Sequence, residues 1–286
     1  MAGFDLATYI QERKIFVDQE LERILPPEDH EPQAVFAAMR YGVLGGGKRL
    51  RPVMSLIVAE VNGYARTAVS DAACAVELVH AASLILDDLP SMDNAQTRRG
   101  QPCTHVVYGE STAILAAMDL ISVAYRLVAM NAEQRDRPVA PAIAELSKAI
   151  GHEGIVRGQH ADLALGGKRA SLEQLTDIYA HKAAALFLAA VRIPARILGV
   201  EEAKVHALER YAESLGLAFQ ITDDLLDAGH APEDAGRSTF TTHLGKDGAQ
   251  RKVTELVKDA KAALDALGSE AMVLKALAEY VGKRKH

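Results

Sequence analysis

Two long apolar stretches of helical periodicity each run into a cluster of aspartates, and this coupling limits what the chain can fold into. The first stretch ends in Asp87-Asp88-Leu89-Pro90-Ser91-Met92-Asp93 and the second in Asp223-Asp224-Leu225-Leu226-Asp227, about 135 residues later. Six carboxylates at the ends of apolar helices repel one another. Two unit charges ~4 Å apart interact by about 4 kcal/mol at an effective dielectric of 20. A cation has to offset that repulsion. Oxygen-only ligands suit magnesium, which keeps several waters and commonly also binds phosphate. The paired clusters point to metal-assisted chemistry on a phosphorylated substrate.

The remaining pattern is helical almost throughout. Leu6, Ile10, Val17, Leu21 and Ile24 recur at helical spacing over residues 5–25, and Pro26-Pro27 stops that segment. Further helices are expected over 32–44, ending at Gly45-Gly46-Gly47, over 51–61, and over 71–88 with Ser70 or Asp71 as the cap. Residues 111–130, 141–150, 172–198, 201–227, 247–267 and 270–282 complete the set, and 90–102 is expected to be a loop. No run of alternating β-branched residues, repeat or linker divides the chain. The reading is one all-α domain, residues 1–286, with buried central helices. Hydrophobic residues make up 49% of it, but aromatics only 5% and Trp none, so the core is aliphatic and Ala-rich.

Composition also excludes functions. A net charge of −6 gives no support for a nucleic-acid partner. Two cysteines, Cys74 and Cys103, are too few for a disulfide framework and fit a reducing cytoplasm, so a cytoplasmic protein is expected. The first 25 residues are charged throughout and show no secretory signal. The longest uncharged apolar run, Ala183 to Val191, is closed by Lys182 and Arg192 and falls short of the ~18 residues of a spanning helix. No membrane span and a soluble chain are expected.

Within the second cluster, Asp223 and Asp227 are i and i+4 and share a helix face, with Asp224 about 100° round. In the first, Asp87 and Asp88 lie at a helix C-terminus, where the helix dipole disfavours anions. Arg98-Arg99 come ten residues later, and His80 lies two turns before Asp87 on the same face. A lone histidine there serves equally as a satisfied core residue. The segment GGGKRLRP, residues 45–52, combines backbone amides with Lys48, Arg49 and Arg51 as an anion cradle. Gly42 to Arg49 is not a P-loop, because Arg49 stands where Ser or Thr is needed and no strand precedes it. His152-Glu153 is not a zincin motif, because position 156 is Val.

GGGKRLRP, ELVHAASLILDDLPSMDNAQTRRGQP, HKAAALF and FQITDDLLD, in this order and spacing, resemble the trans-isoprenyl diphosphate synthase family over about residues 30–250. The detail is most similar to bacterial geranylgeranyl diphosphate synthases of the carotenoid-pathway type. The resemblance implies an isoprenoid synthase-type helical bundle around a central cavity, usually a homodimer. It implies condensation of isopentenyl diphosphate with an allylic diphosphate. That partner would be farnesyl diphosphate, with dimethylallyl or geranyl diphosphate as alternatives, and the product geranylgeranyl diphosphate. The alternatives are a farnesyl diphosphate synthase and a non-catalytic subunit of a heteromeric synthase; such subunits typically lack motif aspartates, and both motifs are complete here.

Carried over position by position, the resemblance implies that Asp87, Asp88, Asp93, Asp223, Asp224 and Asp227 hold three magnesium ions on the allylic diphosphate. Arg98 would contact that group. Lys48, Arg51, His80 and Arg99 would bind isopentenyl diphosphate. Lys182 and Gln220 would line the allylic site and stabilise the cation, making Lys182 catalytic with Asp87, Asp88, Asp223 and Asp224. Ala82 and Ser83, five and four residues before Asp87, would set product length, since farnesyl-producing relatives commonly carry an aromatic there. A deeper floor is needed to stop growth, with Leu78 or Met118 as candidates. Four positions depart from the family pattern: Asn94-Ala95 after the first motif, with little effect expected because the three ligand positions survive, and Ala183 where a Thr usually follows the lysine, a short 228–236 segment, and Arg237 for a lysine in substrate binding, which bear on diphosphate affinity. The basic tail, residues 283–286, resembles one that closes over the site in relatives, or is an exposed end.

Overall fold

In a computed structural model of the chain, residues 4–166, 168–227 and 238–284 are described. Arg237, the segment 228–236 and the last two residues of the tail lie outside these. Almost every described element is a helix: α1 Leu6–Ile24, α2 Gln33–Leu44, α3 Leu50–Val61, α4 Ser70–Asp87, α5 Thr104–Tyr108, α6 Glu110–Glu133, α7 Val139–Ile150, α8 Ile155–Leu165, α9 Leu172–Tyr179, α10 Ala185–Leu198, α11 Glu202–Asp227, α12 Phe240–Ala263 and α13 Met272–Lys283. The all-α expectation holds. Within the expected 90–102 loop, Thr97–Arg98 (β1) pairs antiparallel with Gln101–Pro102 (β2).

Contacts gather the helices into two compact units, residues 1–146 with 196–198, and 147–195 with 199–286. In the first, α4 packs along α6 and α3. Small residues make that close approach possible: Ala72, Ala73, Ala75, Ala81 and Ala82 on α4, and Ala113, Ala116, Ala117 and Ala124 on α6, are all buried. Neither Ser70 nor Asp71 caps α4. Ser70 Oγ turns back to Thr67 O, and Asp71 pairs with Arg23. The cap comes from α6, where buried Asn131 accepts from Ala72 N at 3.2 Å and donates to Ala68 O at 3.0 Å. A tertiary partner thus does what a local side chain does at most helix starts.

In the second unit, α11 packs along α12. Leu175, Ile178, Tyr179, Ala218, Ile221, Phe240 and Val253 form its core. The single helix expected over 172–198 is interrupted by a π-helical turn, Ala180–Ala184, between α9 and α10. Helix α12 begins earlier than expected and breaks at Gly245, whose φ of 69° is left-handed.

Three helical segments, 66–87, 110–133 and 172–198, are long and apolar enough to cross a membrane by length and composition. Counting only uncharged runs overlooked them. In the first and third, 72% and 67% of the apolar window is buried inside the protein, which accounts for the hydropathy by core packing.

Candidate active site

The first unit carries one set of charged groups. Asp87 ends α4, half-buried, and the next residue, Asp88, is buried. Their loop returns on itself, with Asp93 N donating to Asp87 O at 2.9 Å and Ala95 N to Asp88 O at 3.1 Å. This places the exposed Asp93 beside the helix end. Asp88 is held by Arg98, whose Nε lies 2.7 and 2.9 Å from the two carboxylate oxygens and whose Nη2 lies 2.6 Å from Oδ1. Burial, and then the Asp88 carboxylate beside it, push the Cys103 thiol up to about 11. The sequence assigned Asp88 to metal and Arg98 to diphosphate; the fold pairs them with each other.

The glycine loop sorts its cations by direction. Arg49 takes a left-handed φ of 52° and turns inward. Its guanidinium reaches Glu77 at 2.6 Å, Asp18 at 2.9 Å and the Val43 carbonyl at 2.7 Å, all three nitrogens being used. Arg49 therefore anchors the loop. Its neighbours turn the other way: Lys48 is exposed, and half-buried Arg51 brings Nη1 to 3.5 Å from His80 Nε2. Arg99 folds over the loop, donating to Gly46 O. A Cβ on Gly47 would come 3.0 Å from Arg99 Nη1, and the φ of 133° there suits glycine. Helix α3 starts at Leu50 with no side-chain cap on its first turn, beside Lys48. Lys48, Arg51, His80, Arg99 and a helix N-terminus so form one anion-accepting edge.

Ser83 lies about 40° from Asp87 round α4, whereas Ala82 lies about 140° away. Ser83 is half-buried, its hydroxyl donating to His80 O at 2.9 Å, while Ala82 is wholly buried. Leu78 is buried too, but Met118 is 61% exposed, which removes it as a floor built within this chain's own core.

The second unit carries the other set, at the end of α11. Asp224 is buried; its Oδ2 accepts from Tyr179 Oη at 2.7 Å and Phe240 N at 3.3 Å. Asp223 is half-buried and accepts from Arg284 Nη2 at 2.6 Å. The Arg284 side chain is 2% exposed, donates also to Phe219 O at 2.8 Å, and stacks 3.8 Å over the Phe219 ring. The tail is thus no exposed end at this residue. Asp227 is exposed one turn beyond Asp223, and Gln220 is half-buried one turn before Asp224. Lys182 sits in the π-turn, its Nζ 2.7 Å from Asp162 Oδ2. Helix α8, which supplies Asp162, had no sequence reading. Its apolar spacing is broken by Gly158, Gln159 and His160, and only its packing on Lys182 reveals it.

Among the described residues no group of three or more His, Cys, Asp or Glu side chains is gathered as a metal cluster. The donor chemistry still fits magnesium. The carboxylates of each run lie within about one helical turn or its return loop, with no thiolate or imidazole among them, as a hard cation requires.

A helical scaffold with a carboxylate run at the end of a helix in each unit, and a cationic edge around Lys48, defines an enzyme that transfers prenyl groups between diphosphates. The chain belongs to the Polyprenyl synthetase family, whose sequence profile matches residues 32–280. It is 38% identical over 294 residues to "Geranylgeranyl pyrophosphate synthase, chloroplastic" of Capsicum annuum, covering 98% of this chain and 79% of that one. It is 38% identical over 283 residues to "Farnesyl diphosphate synthase" of Escherichia coli, covering 93% and 95%. A crystal structure of an FPP/GFPP synthase from Zymomonas mobilis superposes with a TM-score of 0.89 at 32% identity, covering 97% and 98%. The chain is a trans-prenyltransferase.

Burial first, then the Arg51 and Arg99 guanidinium groups, hold His80 well below its ordinary pKa, so it is neutral near pH 7. A guanidinium only donates, so the Arg51 contact makes Nε2 the acceptor and leaves the proton on Nδ1. As pH falls through about 6.5 the unfolded chain protonates here and the folded one does not, so stability falls with pH. Urea midpoints of the protein should drop between about pH 7.5 and 5.5, and His80→Gln should flatten that slope.

Proposed function

We propose that the chain is a geranylgeranyl diphosphate synthase, condensing isopentenyl diphosphate with farnesyl diphosphate. Ser83 carries this reading: it is small, half-buried and on the Asp87 face of α4, where a lengthening tail would lie, and no aromatic stands there or at buried Ala82. The relative from Capsicum annuum bears that product in its name, and the one from Escherichia coli bears the alternative, farnesyl diphosphate. Completeness of both aspartate runs favours a catalytic chain over a silent subunit.

In this reading Asp87, Asp88, Asp93, Asp223, Asp224 and Asp227 hold magnesium, up to three ions. Magnesium would supply charge neutralisation for the departing diphosphate. The chain's own residues do the rest. Lys48, Arg51, Arg99 and the neutral His80 bind and orient isopentenyl diphosphate. Arg98, Lys182 and Arg237 meet the negative charge that grows on the allylic diphosphate as its carbon–oxygen bond breaks. Gln220 lines the cation. The alkene of isopentenyl diphosphate then supplies the electron pair for the new carbon–carbon bond, and a proton leaves to the released diphosphate. No side-chain acid–base pair is required. The aliphatic surroundings exclude water that would quench the cation.

Incubation with isopentenyl diphosphate and each five-, ten- and fifteen-carbon allylic diphosphate, followed by chromatography of the dephosphorylated products, tests this. Twenty-carbon product is expected, disappearing with a magnesium chelator. Ser83→Phe, at a half-buried position sharing the Asp87 face, should shift the product to fifteen carbons. Ala82→Tyr should do the same with a loss of stability of about 1–3 kcal/mol, because that position is fully packed. Fifteen-carbon product from the unaltered chain would establish the farnesyl alternative instead.

The Arg284–Asp223 pair bears on metal affinity. A charge-assisted hydrogen bond contributes about 1.5–3 kcal/mol and must be exchanged when a metal takes that carboxylate. Arg284→Met should therefore tighten magnesium binding by about tenfold or more in titration calorimetry.

A homodimer in the cytoplasm belongs to the same reading. Leu115 and Met118, 52% and 61% exposed on α6, and Val106 and Val107, each 47% exposed on α5, form an apolar surface that a second copy would cover. Light scattering should give about twice the 30.7 kDa chain mass, and Leu115→Glu with Met118→Glu should halve it.

A further inference from the structure

Helix α8 is fitted to one place, the π-turn that carries Lys182. Lys182 Nζ lies 2.7 Å from Asp162 Oδ2, with the two side chains 23% and 25% exposed. One turn earlier on the same helix, a Cβ on Gly158 would come 2.3 Å from Lys182 N and 2.7 Å from its Cα. The two backbones touch there, and only glycine permits it. On the other flank of the turn, Arg157 of α8 donates to Asp177 at 2.9 Å, and Asp177 lies 3.3 Å from His181 Nδ1. Residues 181 and 182 are therefore both tied to α8, through two carboxylates and one backbone contact.

The π-turn explains why such ties are needed. One extra residue per turn rotates the downstream residues by about 100° and weakens the local hydrogen-bond geometry. It lets α9 deliver Tyr179 to Asp224 while the next residues turn toward α8. Lysine has a long stem with four rotatable bonds and a compact charge, so its ammonium is fixed only when something else fixes it.

We propose that Asp162 is a positioning residue for prenyl transfer: it holds the Lys182 ammonium in place, and Gly158 sets the distance of α8 from the π-turn. This rests on the role given to Lys182 above. Asp162 touches neither substrate in this assignment; it acts through the lysine.

The test uses the full chain with Asp162→Asn, Asp162→Glu, Lys182→Ala and the double variant Asp162→Asn/Lys182→Ala. Asp162→Asn should lower kcat by about 10- to 100-fold with KM for isopentenyl diphosphate changed by less than about twofold, the signature of misplacing a group that acts on the transition state. Asp162→Glu should restore most of kcat. The double variant should be no slower than Lys182→Ala, because both changes remove one function. A purely structural role would instead lower Tm and add its effect to that of Lys182→Ala. An Asp162→Asn enzyme with full kcat, or full additivity in the double variant, overturns the proposal.

Acetylation of Lys182 by acetic anhydride, followed by mass spectrometry, reads the positioning without turnover. Asp162→Asn should speed it several-fold while the other lysines keep their rates. An unchanged Lys182 rate overturns the positioning. A changed rate in a chain whose unaltered form makes no prenyl product leaves the ion pair standing and overturns its part in prenyl transfer.

Discussion

Carboxylate charge concentrated at helix ends is the constraint to which the rest of this structure answers. Asp87 and Asp88 close α4 where its dipole already disfavours anions, and Asp223, Asp224 and Asp227 close α11 in the same way. Burial makes the problem acute for Asp88 and Asp224, since an ion taken from water without partners loses several kcal/mol. The chain answers with its own donors: Arg98 on Asp88, Arg284 on Asp223, and the Tyr179 hydroxyl with the Phe240 amide on Asp224. Each gives a carboxylate at a helix end a donor from elsewhere in the chain.

These pairings also relate stability to function. Several of the groups assigned above to a diphosphate and its metal are joined to protein partners, so in the proposed reading binding would proceed by exchange of partners. Such an exchange would conserve much of the electrostatic energy, because the carboxylates and guanidinium groups already face charges of opposite sign. Arg49 and Lys48 show how sharply roles divide between neighbours. One left-handed residue sends the Arg49 guanidinium inward to buried Glu77 and part-exposed Asp18, while Lys48 beside it stands at the surface, so neighbouring cations of one loop serve different ends.

Much of the fold was legible in the order of residues because helical periodicity is a local property. The bounds of α1, α2, α3 and α11 follow from apolar spacing, from Pro26-Pro27 and from the glycine run after Leu44. What escaped was set by contacts between distant residues. Ser70 and Asp71 look like caps for α4, yet Asn131, some sixty residues on, supplies the cap. Helix α8 reads as polar and glycine-broken, because Gly158 is there to meet the Lys182 backbone and Asp162 to meet its ammonium. The π-turn has no mark in the order of residues, since its register depends on what α9 and its continuation each pack against.

The sequence by itself determined the all-α class, both aspartate runs, the basic residues around the glycine loop and the family, because spacing along a helix and residue chemistry suffice for these. Only the tertiary structure decided the partners. It joined Arg98 to Asp88, brought Arg284 from the chain's end to Asp223, turned Arg49 inward, and set α8 against Lys182. Ion pairs and close backbone contacts between residues far apart in the chain depend on where helices pass one another, and helical period carries no information about that.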